Sequence, residues 1–143
     1  MNKALLLITL MGSVIFGTAQ AGTIQGAISV TSQTPARVSV GNLINQSGLS
    51  STYTSGTTDF DSYVASASHS LDFRSEWFAR NGTFIDTLIF NLGGMFTVDK
   101  FSVWNEDAYG TDSISITASS DSSFTSSTDL GAFSLTDVPI NTN

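Results

Sequence analysis

The chain has 143 residues, enough for one domain whose core needs no staples, and it contains no cysteine, which excludes the disulfide framework common in small secreted domains. Five Lys and Arg stand against 12 Asp and Glu, a formal charge of −7. Arg37, Arg74, Arg80 and Lys100 are scattered, so the clustered cations that hold nucleic-acid phosphates or an anionic membrane surface are missing, and the acidity serves solubility.

The N-terminus has the pattern of an export signal. Lys3 precedes an apolar run over residues 5–16, and Ala19-Gln20-Ala21 places small residues at the two positions a signal peptidase recognises. A membrane-spanning helix needs about 20 apolar residues; this run is shorter and is interrupted by Thr9, Gly12 and Ser13. The expectation is a signal peptide over residues 1–21, a mature chain beginning at Gly22, and a single exported domain over residues 22–143. Without Lys3 the mature chain keeps four basic side chains against the same 12 acidic ones.

Beyond residue 21 the pattern is that of an all-β protein. Apolar residues recur at spacing two in Ile24, Gly26, Ile28 and Val30, in Ile114, Ile116 and Ala118, and in Phe133 and Leu135, and no window has a period of 3.6. Strands are predicted over residues 84–91, 96–104 and 113–119, separated by a turn at Gly93-Gly94 and by the acidic loop Asn105-Glu106-Asp107-Ala108-Tyr109-Gly110. Short strands with such punctuation suit a sandwich or jelly roll. Residues 47–75 are polar and predict one or two long loops with a short strand near Tyr63-Val64-Ala65; loops of that length are usually functional or disordered. The Ser- and Thr-rich tract over residues 119–128 is interrupted by Phe124 and predicts a turn inside the domain.

Several of these segments, in this order, resemble the discoidin-like (coagulation factor C domain) branch of the galactose-binding-like jelly rolls, in particular the exported copies in bacterial proteins with a PEP-CTERM sorting signal. Asn42-Leu43-Ile44-Asn45-Gln46-Ser47-Gly48 followed by Ser51-Thr52-Tyr53 resembles the early turn and strand, with Asn45 where Asp is usual and Tyr53 where Trp is usual. Ile89-Phe90-Asn91-Leu92-Gly93-Gly94, residues 98–105, and residues 114–121 with Phe124 resemble the later strands. The resemblance implies a discoidin-like jelly-roll β-sandwich and binding in place of catalysis. It also implies closing strands that would follow Leu135, so the domain is expected to be incomplete at its C-terminus. Val138-Pro139-Ile140 lacks the Glu of the sorting motif, and the expected product is secreted or at the cell surface, with no anchor in this chain and no membrane insertion after cleavage.

Candidate functional residues follow from chemistry. A sugar presents an apolar face and a rim of hydroxyls, which an aromatic platform with amide, carboxylate and guanidinium groups can engage. Asn105, Glu106, Asp107 and Tyr109 offer that mixture on one loop, with Arg74 and Trp77 on a second, and carbohydrate or extracellular polysaccharide is the expected partner. Trp104 alternates with Phe101 and Val103 and reads also as core. Asp59/Asp61 and Glu106/Asp107 offer oxygens to a structural Ca²⁺, short of the about six to eight it takes, and otherwise serve as turn-forming acids. His69 is the only histidine and no catalytic partner is evident in the sequence, so no enzyme is expected. Two other functions fit the pattern: a structural or adhesive envelope protein without a small ligand, and an accessory fragment of a glycoside hydrolase.

Overall fold

A computed structural model describes residues 4–11, 22–70, 72–80, 85–105 and 110–135, the first of these segments by its backbone. The described chain is mostly strand with little helix: β1 (Ala4–Met11), β2 (Ser29–Ser32), α1 (Phe60–Ser66), β3 (Ile85–Asn91), β4 (Thr111–Ser119) and β5 (Ser127–Ser134), with short 3-10 turns at Val40–Leu43 and Phe73–Ser75. Two small antiparallel pairs, β2 with β3 and β4 with β5, are joined by β1, which runs parallel to both β3 and β4. The order across the sheet is β2-β3-β1-β4-β5.

The predicted strands β3 and β4 form where the alternation placed them, because a period of two sends every second side chain to one face. On β3 that face carries Asp86 and Leu88, and on β4 Ile114 and Ile116. Leu88, Leu92, Ile114 and Ile116 make the buried cluster, with Trp77, Phe90, Phe96, Ala118 and Leu135 packed against it. Asp86 lies among them because its carboxylate accepts hydrogen bonds from the Ser32 hydroxyl (2.6 Å) and the Thr87 N–H (2.7 Å), linking β2 to β3. Ser119 ends the buried row of β4 and donates to the Ser126 carbonyl, turning the chain into β5.

β5 lies at the sheet edge. Between Ile116 and Thr117 the register shifts by one residue of β5, where Gly131 has a φ of 113° and a side-chain-bearing residue would be strained. Leu130 and Phe133 face outward, so Phe133, predicted to alternate inward with Leu135, is exposed while Leu135 packs on the core. An exposed apolar edge of this kind promotes association, and a bulge limits it.

Three segments depart from the predicted pattern. Residues 24–30 do not form one strand: Ile24 pairs its backbone with Gly56 and Thr58, Ile28 is exposed, and β2 starts only at Ser29. The segment around Tyr63 is helical, because Asp59 caps α1 by accepting from the Ser62 N–H at 2.9 Å and Asp61 adds an acidic first turn. Residues 96–104 have strand-like alternation but no ladder partner among the described residues, and side chains hold them instead. Among the described residues no helix is long and apolar enough to cross a membrane.

Leu88 has no exposed surface. Leu88→Ala should therefore lower the unfolding free energy by about 2–5 kcal/mol, whereas Ile28→Ala, at an exposed position, should stay within about 0.5 kcal/mol. Denaturant midpoints of the two variants check this, and similar values would misplace the core.

Candidate functional site

A cavity of about 640 Å³ lies between the face of the sheet that carries Leu88 and Phe90 and the polar segments that precede β3. That size suits a small-molecule or saccharide site. Tyr53, Tyr63, Trp77 and Trp104 are in its wall, beside Gln25, Asn42, Gln46, Glu76 and Asn105.

Three of the aromatic rings hold one another. Tyr63 meets Tyr53 edge to face at 5.5 Å and Trp104 at 6.2 Å. α1 places Tyr63 between them, and its hydroxyl donates to the Ser51 carbonyl at 2.8 Å. The Trp104 indole N–H donates to the carbonyl of Ala67, just past the end of α1. Tyr53 lies close over Gly26, where an added Cβ would stand 2.8 Å from the phenol oxygen, so only glycine admits the ring. Burial, with Tyr63 beside it, pushes the Tyr53 hydroxyl above its ordinary range and keeps it a neutral donor.

Side-chain amides do the work of a missing ladder around this cluster. Gln46 donates to the Tyr53 carbonyl and accepts its N–H at 2.6 Å, as a neighbouring strand would. Asn42 donates to the carbonyls of Arg74 and Glu76, both at 2.7 Å, which sets the chain that enters Trp77. Gln25 donates to the carbonyls of Gly26 and Leu92. Asn105 donates to the Thr111 carbonyl and accepts its N–H at 2.8 Å, tying Asn105 to the first residue of β4.

Of the sequence-predicted site residues, Trp77 and Asn105 come together on the cavity wall. Arg74 is exposed, with its guanidinium 5.8 Å from the ring centre of Phe73, and is outside that wall. Glu106, Asp107 and Tyr109 lie outside the described residues. The buried indole N–H of Trp77 has no hydrogen-bond partner among the described residues, a state that ordinarily costs about 1–3 kcal/mol. Gln25, Asn42 and Tyr63 were not predicted as wall residues; Asn42 stood in a recognised turn motif, but the distant carbonyls it meets are set by the fold.

The acids considered for metal binding have other partners. Asp59 caps α1, and Asp61 accepts from the Lys100 ammonium on both carboxylate oxygens at 2.7 Å. Among the described residues no three His, Asp or Glu side chains converge to hold a metal ion. His69 is half-buried in the wall, with its Nδ1 3.2 Å from the Ser70 carbonyl oxygen. Comparison with protein-family models, with curated proteins and with solved structures gives no match.

Two capping carboxylates set an acid limit on this scaffold. Bonds from the Ser62 hydroxyl and N–H hold the Asp59 carboxyl below its ordinary range, and bonds from the Thr125 hydroxyl, then from the backbone N–H groups of Thr125, Ser126 and Ser123, do the same for Asp121. A lowered native pKa contributes stability that is present above the unfolded value of about 3.9 and is lost as pH falls through the native one. Melting temperature should therefore fall below about pH 4, and Asp59→Asn with Asp121→Asn should flatten that part of the profile. A profile unchanged by the pair would remove these caps from the account.

Proposed function

We propose that the chain is an exported, non-catalytic binding domain with a discoidin-like jelly-roll architecture, of the kind found in PEP-CTERM-type proteins, and that its ligand is carbohydrate at the cell surface or in extracellular matrix. The observation that carries this reading is the cavity wall, where Trp77, Tyr53, Tyr63 and Trp104 stand beside amides of Gln25, Asn42 and Asn105. Aromatic faces match the apolar face of a sugar ring, and amides beside them match its hydroxyls. Glu106, Asp107 and Tyr109, which follow Asn105 in the sequence, and Arg74 are proposed as further ligand-binding residues. The carboxylates Asp59 and Asp61 are engaged in a cap and an ion pair, which favours binding over acid-base chemistry.

A glycan array probed with the exported chain tests this directly. Binding should be competed by free sugar, and Trp77→Phe, which keeps a phenyl ring but deletes the fused pyrrole and so reduces the aromatic face, should weaken it about tenfold, roughly 1.4 kcal/mol. Glu106→Ala with Asp107→Ala should weaken binding while moving stability by no more than about 0.5 kcal/mol. Absence of binding to any glycan by the folded chain would favour the structural or adhesive alternative.

A further inference from the structure

The central strand of the sheet, β1, belongs to the segment whose sequence has the pattern of a cleavable leader. Every residue of β3 has a register partner on β1, and so does β4 from Ser113 to Ser119. Without β1 the facing edges of β3 and β4 stand two strand spacings apart, roughly 9.6 Å, beyond the reach of an N–H···O bond of about 3.2 Å or less. Both edges run in the same direction, since each is parallel to β1.

We propose that this slot is a strand-acceptor site, and that in the exported chain it takes, in trans, an extended, uncharged, mostly apolar segment the length of β1, parallel to β3 and β4. The proposal rests on the export reading. The occupant's chemistry follows from what seats there in cis: an eight-residue segment, Ala4–Met11, without a charged side chain. Register also sets its pattern. Leu88 and Ile116 both pair with position 8, and Phe90 and Ala118 both pair with position 10, so alternate residues of an occupant fall in the row of the core. Main-chain bonds on two edges supply affinity, and that row supplies selectivity for apolar side chains at every second position.

The exported chain, its first residue fixed by N-terminal sequencing, is titrated with a synthetic peptide of the Ala4–Met11 sequence carrying terminal lysines. A second peptide carries Ile8→Pro, which deletes a ladder donor in mid-strand. The expected result is saturable binding with a raised melting temperature for the first and at least about tenfold weaker binding for the second. No saturable binding, or equal binding of both peptides, overturns the proposal. A first residue of Met1 overturns the occupant in trans, because β1 then keeps its own slot, without bearing on the glycan site. The full-length chain, with cleavage blocked by Ala21→Leu, supplies the second measurement. Leu7→Cys should form a disulfide with Thr87→Cys and, in a separate variant, with Ser115→Cys, the in-register partners, and not with Ile89→Cys. The absence of native cysteine keeps the assay clean, and a failure of both in-register pairs overturns the slot itself.

Discussion

Backbone pairing of β1 with two strands at once is the interaction on which the described sheet depends. β2 and β3 form one antiparallel pair and β4 and β5 another, and two-stranded units are at best marginally stable alone. β1 turns two such pairs into one five-stranded sheet. Each hydrogen bond contributes only about 0.5–1.5 kcal/mol net, but a continuous ladder on both edges also fixes the spacing of Leu88 from Ile114 and Ile116. Leu88, Leu92, Ile114 and Ile116 form the buried cluster of β3, β4 and the turn after β3, so that spacing decides how these side chains meet.

The other half of the molecule is organised by different physics. Few of the described residues between β2 and β3 have a ladder partner, and polar side chains satisfy backbone groups instead: Gln46 on Tyr53, and Asn42 on Arg74 and Glu76. The aromatic part of the cavity wall beside these segments is kept in place by the contacts of Tyr63 with Tyr53 and Trp104. The lone indole donor of Trp77 lies in the same wall.

The sequence was most legible where one local rule decided the outcome. Strands β3 and β4 follow from alternation and turn residues, and Trp77 and Asn105 both line the cavity. α1 was missed because seven residues are too few to show a helical period; its legible signal was the cap, Asp59 three residues before Ser62. Residues 96–104 alternate like a strand, yet strand formation needs a partner, and Lys100, Trp104 and Asn105 spend their polar groups on Asp61, Ala67 and Thr111. Phe133 alternates correctly but sits on an edge strand, where one local pattern cannot say which face meets the core. The apolar run near the N-terminus has the composition of both a leader and a buried parallel strand, and in the fold its backbone takes the second form.

Backbone amide hydrogen exchange on the uncleaved full-length chain is the most direct measurement of this dependence. If β1 holds the sheet together, amides of Ala4–Met11, Ile85–Asn91 and Thr111–Ser119 should share one high opening free energy and lose protection together as denaturant rises. Exchange of Ala4–Met11 at the rate of a free peptide, with β3 and β4 still protected, would contradict the account.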